Sequence, residues 1–236
     1  MNKVASFFLV VILGFTCYES DAQEFLEWRN SFDIFLKKTD LNKMNFVDEY
    51  MYCFNKTTFT QFREDEFEYH SKKKQEFDLL SKRLQQYSDS AGYYIVTSAK
   101  FGDFDFDKEC FEFSPIDVNS VLTYRNIGNY PSNVNTSTKI LLSFANGNSF
   151  QGLSMPVDRA KRFIEFRKSS NGDIDRRVLL KVYFTIDKDM VVDRVGDKYF
   201  TVNLKGNISQ IMVFDSFGYN LKKGSGERIA DVNKAK

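Results

Sequence analysis

The sequence predicts an α+β fold in which a helical N-terminal part packs on a mostly antiparallel β-sheet with one inserted helix. Apolar residues recur every three or four positions over residues 23–88, as on one face of a helix. Over residues 89–217 they mostly alternate with polar residues, as in half-buried strands. A single helical pattern at residues 156–168 interrupts the alternation. Helices and strands segregated in this way are typical of α+β proteins.

The first 22 residues have the layout of a secretory signal peptide. Lys3 supplies the positive start, residues 7–15 are apolar and uncharged, and Ser20 and Ala22 form a small-x-small cleavage site. We expect cleavage after Ala22 and a periplasmic or secreted protein. The alternative of a retained anchor helix is disfavoured, because a membrane span needs about 20 apolar residues.

Lipid anchoring is a second, weaker alternative. It would require acylation of Cys17, but Gly14 stands where an aliphatic residue is expected and Thr16 where a smaller one is expected. Beyond residue 22 no segment is apolar enough to cross a bilayer, so the sequence predicts no transmembrane segment in the mature chain.

Three helical patterns fill residues 23–88. Asp40 is positioned to cap the second, and the third is expected to be one long helix over residues 60–87. The apolar stripes are, in order, Phe25, Trp28, Phe32 and Phe35; Phe46, Tyr50, Cys53 and Phe54; and Phe62, Phe67, Phe77, Leu80 and Leu84.

Strand patterns follow at residues 92–101, 121–125, 139–144 and 177–186. Two apolar faces are predicted on them: Ile140, Leu142 and Phe144, and Val178, Leu180, Val182, Phe184 and Ile186. A helix at 156–168 precedes the turn signal Asn171-Gly172. Its predicted buried stripe is Val157, Ala160, Phe163 and Ile164, and Arg167 and Lys168 suit the negative end of its dipole. Residues 198–216 are predicted to be a hairpin that turns near Gly206 and Asn207. The polar segment 218–236 is predicted to be a flexible tail.

Composition and charge exclude several functions. The chain has 33 basic and 32 acidic residues and a formal net charge of +1, without a basic patch that would indicate a nucleic-acid partner. No glycine-rich phosphate loop lies between a strand and a helix, so we expect no cofactor.

The stretch "FGDFDFDKECFEF" places Asp103, Asp105, Asp107 and Glu109 at alternate positions. Clustered carboxylates can bind calcium, but Lys108 stands where an EF-hand loop needs glycine. The preferred interpretation is a solvent-facing row of acids, with Phe104 and Phe106 packed on the core and a turn near residues 107–108.

Three further residues are candidates for chemistry. Cys53 and Cys110 could form a disulfide in an exported protein, or they could be two buried thiols. His70, the only histidine, has one neighbouring acid, Glu66, which is too few ligands for a zinc site. It is interpreted as a surface residue of a helix.

Three motifs resemble a family of bacterial exported proteins recorded as a domain of unknown function, over roughly residues 40–190. They are Asp65-Glu66-Phe67-Glu68, the run from Phe101 to Phe106, and Asn171-Gly172 before Arg176-Arg177. Phe104 stands where the family pattern has tyrosine. The resemblance implies export and an α+β fold, and it supplies no catalytic residues.

The sequence therefore predicts an exported binding or interaction module whose partner is an unknown protein or a small apolar ligand. An apolar-ligand or lipid-binding protein, with a pocket lined by some of the 25 phenylalanines, is one alternative. A carboxylate-dependent hydrolase is the other, and its basis is the acid density around residues 65–68 and 103–109. A role as an enzyme is disfavoured because no catalytic set is visible.

Overall fold

The computed structural model describes residues 23–88, 90–117, 119–125, 134–196, 198–216 and 227–232. Within these ranges it contains five α-helices and two β-sheets, and it confirms the predicted α+β fold. The predicted signal peptide and Cys17 lie outside the described residues. No helix in the described ranges is both long enough and apolar enough to cross a membrane.

Four helices lie in the N-terminal part of the chain, before residue 88, and a fifth is inserted among the later strands. They are α1 (Trp28–Lys38), α2 (Val47–Phe54), α3 (Lys56–Phe62), α4 (Glu66–Gln86) and α5 (Val157–Phe166). Short 3-10 helices occupy Lys43–Phe46 and Gly147–Ser149. The inserted helix α5 falls inside the segment for which the sequence predicts a helix.

The single helix predicted over residues 60–87 is two helices in the structure. Residues 63–65 separate α3 from α4, and the carboxylate of Asp65 accepts hydrogen bonds from the backbone N–H groups of Phe67 and Glu68, both at 3.0 Å. This is an N-terminal cap, which satisfies donors that a new helix leaves unpaired. The apolar spacing continues across the break, which is why periodicity alone predicts one helix.

The strands are β1 (Glu24–Phe25), β2 (Gly92–Lys100), β3 (Phe104–Asp105), β4 (Cys110–Phe111), β5 (Val121–Arg125), β6 (Ser137–Phe144), β7 (Leu153–Ser154), β8 (Arg177–Val195), β9 (Tyr199–Asp215) and β10 (Arg228–Val232). The main sheet has the order β1-β2-β8-β9-β6-β5, with β10 also paired to β9. Four of its pairs are antiparallel, whereas β1–β2 and β6–β9 are parallel. A small sheet has the order β3-β4-β7.

One face of the main sheet carries the core. The alternating residues predicted to face one way on β8 and β6 are all buried, as expected for a sheet with one covered face. On the opposite face of β2 and β8, Tyr94 and Tyr183 flank Lys181, whose Nζ lies 4.0 Å from the centre of the Tyr94 ring. The buried set is Val178, Leu180, Val182, Phe184, Ile186, Ile140, Leu142 and Phe144.

The hairpin predicted within residues 198–216 is wrong. β9 continues straight through Gly206 and Asn207, and the actual hairpin joins β8 to β9 near Gly196, where φ is +64°. Gly206 instead lies beneath two rings: a Cβ there would be 3.0 Å from Phe144 and 3.1 Å from Phe184. The glycine allows close approach of side chains to the backbone rather than a turn.

Residues 228–232, in the segment predicted to be a flexible tail, form β10. The strand pairs antiparallel with residues 211–214 of β9, and Ile229 and Val232 are buried. Apolar residues are too sparse in this segment to show the alternation that predicts a strand. Residues 217–226 and 233–236 of the chain lie outside the described ranges.

Aromatic packing and a buried carboxylate are among the contacts that join the N-terminal helices to the sheet. The ring of Phe46 packs on Phe200 of β9 at 5.0 Å between centroids. Glu49 of α2 is fully buried and accepts hydrogen bonds from Thr136 Oγ1 at 3.0 Å, Thr138 Oγ1 at 2.8 Å and the Thr138 backbone N–H at 2.7 Å. The helical part is thereby bonded directly to β6.

Replacing Gly206 with alanine should destabilise the protein. The added Cβ would press on Phe144 and Phe184, and overpacking of this kind costs about 1–3 kcal/mol. Urea unfolding of Gly206→Ala measures the loss of unfolding free energy. Lys205→Ala, an exposed change one residue away on β9, should stay within about 0.5 kcal/mol of the wild type. Equal stability of the two variants would contradict the packing role of Gly206.

Candidate apolar binding site

The stretch "FGDFDFDKECFEF" folds into the hairpin β3–β4. Phe104 pairs with Phe111 and Asp105 with Cys110, and residues 106–109 form the turn. The Asp105 carboxylate accepts hydrogen bonds from the backbone N–H groups of Asp107 (3.0 Å) and Lys108 (3.1 Å). It also forms an ion pair with Lys108 Nζ at 2.9 Å, and hydrogen bonding from Lys108 lowers the pKa of Asp105. The acid in the middle of the motif therefore shapes its turn.

The four acids of the motif do not converge. Asp103 is exposed and forms an ion pair with Arg176 at 2.8 Å, Asp105 holds the turn, and Asp107 and Glu109 are exposed. Among the described residues, no group of three His, Cys, Asp or Glu side chains is arranged to hold a metal ion. The turn reverses the chain within the motif, so its alternate positions do not share one strand face.

The phenylalanines Phe104 and Phe106 of the motif also lie in different environments. Phe104 is half-buried against Phe111, with 4.9 Å between ring centroids, but Phe106 begins the turn and is 73% exposed. The prediction that both pack on the core is wrong for Phe106, because the chain leaves the strand at that residue. An exposed phenylalanine beside partly exposed apolar neighbours makes this surface a candidate binding site.

An apolar groove of about 370 Å³ lies between this hairpin and α5. Seven of its ten lining residues are apolar, and the three charged residues all come from α5 or the residue just after its C-terminal cap. The groove is lined by Phe104, Phe106, Phe111, Val157, Ala160, Lys161, Ile164, Glu165, Lys168 and Ile174. Its volume lies within the range of small-molecule sites, about 300–1,000 Å³.

The helix α5 uses its predicted apolar stripe for two purposes. Phe163 packs inward against Phe101 and Phe111, at centroid distances of 5.3 Å and 6.0 Å. Val157 and Ile164 instead line the groove, with Ala160 buried at its base. The sequence correctly predicts the stripe but not that three of its four residues line a groove, since periodicity identifies the apolar side of a helix and not what covers it.

Arg167, directly after α5, fixes the helix to the main sheet. Its fully buried guanidinium donates to the backbone carbonyls of Asp175 (3.0 Å) and Arg177 (2.7 Å), and it forms an ion pair with Asp215 at 2.8 Å. It also stacks over the Phe163 ring at 4.4 Å. Burial lowers the pKa of Arg167 while Asp215 opposes that shift, and an arginine stays protonated in either case.

Sequence reasoning missed the role of Arg167. A basic residue at the end of a helix is interpreted as complementing the helix dipole, and nothing in the local sequence distinguishes it from the exposed Lys168. The remaining candidates lie elsewhere: His70 is exposed on α4, and Cys53 on α2 is not joined by a disulfide to Cys110 on β4.

A second, polar cleft of about 700 Å³ lies between α1, the end of α4 and the start of β2. In its wall Arg83 donates to the Asp33 carboxylate and to the Tyr50 hydroxyl. Burial raises the pKa of Asp33 although Arg83 counteracts the shift, and burial also raises the pKa of Tyr87. Asp33 of α1 and Arg83 of α4 form an ion pair with each other, so their main role is to join the two helices.

Replacing Arg167 should separate α5 from the sheet. Arg167→Met removes the guanidinium that donates to Asp215 and to two backbone carbonyls, and breaking a buried ion pair in this way costs about 3 kcal/mol of unfolding free energy. Arg177→Met removes the exposed Asp175 ion pair and should cost less than about 1 kcal/mol. Urea unfolding compares the two; similar losses would refute the anchoring role.

Comparison with known proteins places the chain in a family and gives no further relatives. No curated protein and no solved structure matches it significantly. Residues 42–166, which include α2 to α5 and the hairpin β3–β4, match the family described as "Domain of unknown function (DUF4852)". The expected likeness to a family of unknown function is thus confirmed, and because the match covers more than half of the 236 residues, the chain belongs to this family.

Proposed function

We propose that this protein is a binding module whose apolar groove holds a hydrocarbon chain. The observation that carries the proposal is the open groove between β3–β4 and α5, with Phe106 73% exposed at its wall. Leaving such apolar surface in water costs about 25 cal/mol for each Å². A ligand that covers it recovers this free energy, and the chemistry of the lining selects a ligand that is itself mostly apolar.

The volume of the groove indicates how much of that ligand it can hold. A water molecule occupies about 30 Å³ in the liquid, so 370 Å³ has room for roughly a dozen atoms other than hydrogen. A single hydrocarbon chain of about ten carbons matches this volume, whereas a ligand with several long chains exceeds it.

A carboxylate-dependent hydrolase is less well supported. Asp103 and Asp105 are each held by a cation, and none of the four acids of the motif lines the groove. We therefore assign the groove a binding role.

A series of neutral alcohols tests the groove. Each added methylene should contribute about 0.8 kcal/mol, so affinity should rise about fourfold per carbon from butanol to decanol. Phe106→Ser should weaken decanol binding about tenfold, because one wall of the groove loses its ring. Titrations followed by NMR chemical shifts report both the affinity and the site.

Phe67→Ser is the matched control, since Phe67 is 89% exposed on α4 and does not line the groove. Binding that is independent of chain length, or equally weakened by the two serine variants, would overturn the proposal. A dimer that decanol dissociates would also count against it, because the groove would then be covered by a second copy of the chain.

We also propose that the chain is exported and cleaved after Ala22. The support is the sequence pattern of Lys3, the apolar run 7–15 and the small residues Ser20 and Ala22. Mass spectrometry of protein isolated from cell fractions should find Gln23 as the N-terminus, in an envelope or extracellular fraction. Protein that retains Met1 in the cytosol would contradict export, and an acylated Cys17 would replace cleavage after Ala22 by lipid anchoring.

A further inference from the structure

The charged residues of the groove all belong to its α5 side. The hairpin wall contributes Phe104, Phe106 and Phe111, which are entirely apolar in contact with the groove. The helix side contributes two rows: Val157, Ala160 and Ile164, and beside them Lys161, Glu165 and Lys168. Because residues three and four apart share a helix face, the charged row runs along one edge of the groove.

The charges of this row are available to a ligand. Lys161, Glu165 and Lys168 are exposed, and in the described part of the chain none of them forms an ion pair. Two ammonium groups and one carboxylate leave this edge with a net positive charge, and one lysine stands toward each end of it. On the hairpin, Lys108 is paired with Asp105, while Asp107 and Glu109 are exposed in the turn but do not line the groove.

Given the proposed function, on which this inference rests, the geometry points to a single-chain amphiphile with one anionic end as the ligand. The hydrocarbon chain lies against the phenylalanines of β3–β4 and against Val157 and Ile164 of α5. The anionic group stays at the solvent edge, where Lys161 or Lys168 reaches it with its flexible ammonium. An acyl carboxylate of about ten carbons has both features.

Three probes of equal chain length test the inference: decanoate, decanol and decyltrimethylammonium, each below its micelle concentration. At low ionic strength decanoate should bind about fivefold more tightly than the cation, since exposed charge pairs contribute modestly. Raising the salt to about 0.5 M should remove most of this preference, because the Debye length then falls below the length of the charged row.

The double variant Lys161→Gln/Lys168→Gln should abolish the preference for decanoate over the cation. The matched control is Lys139→Gln/Lys205→Gln, which removes two exposed lysines of β6 and β9 and should retain the preference. Titrations of all three proteins with all three probes give nine affinities.

The results separate this inference from the proposed function. If none of the probes binds, the proposed function fails. If decanol binds but decanoate binds no better than the cation, the groove stands and the anionic ligand is wrong. Tighter binding of the cation would show that Glu165 dominates the edge and would likewise overturn the inference, as would an equal loss of preference in the control variant.

Discussion

β8 and β9 pair antiparallel from Val178 opposite Asp215 to Val195 opposite Tyr199, and the rest of the main sheet is built outward from this pair. β2 joins β8, and both β6 and β10 join β9, the first along its N-terminal half and the second along its C-terminal half. A strand shared in this way fixes the register of three neighbours at once. Since a shift by one residue would turn every buried side chain of β8 to the wrong face, the pairing is strongly specified.

The position of the groove depends on the same pair of strands, because both of its walls are attached to them. Arg167 reaches backbone carbonyls at the start of β8 and the carboxylate of Asp215 at the end of β9, so α5 is attached where the two strands lie side by side. The opposite wall is attached to the same end of β8, because Arg176 donates to the Gly102 carbonyl and to Asp103. Both walls of the groove are therefore attached to the same end of the β8–β9 pair, while Phe106 in the turn lies outside these contacts.

The periodicity of apolar residues in the sequence predicted much of the fold but little of the candidate site. The stripe of β8, the strand β6 and the helix α5 follow from periods of two and 3.6 residues, which depend only on neighbouring residues. The parallel pairing of β6 with β9 and the role of Gly206 depend on partners about 60 residues away, and no local signal reports them. In the acidic motif the sequence indicates the carboxylates as possible metal ligands. In the structure the groove is lined instead by Phe104 and Phe106, which alternate with those acids. The groove forms only because α5, some 50 residues further along the chain, packs beside this hairpin, and the local sequence does not indicate that contact.

The burial of Glu49 has a consequence for how the chain reaches its folded state. Its carboxylate obtains hydrogen bonds from Thr138, 89 residues further along the chain, and an unpaired charge is costly to remove from water. These threonine donors are absent from the N-terminal helices, so this part of the hydrogen-bond network is completed only when β6 packs against α2. Contacts between residues so far apart along the chain raise its contact order, which slows folding.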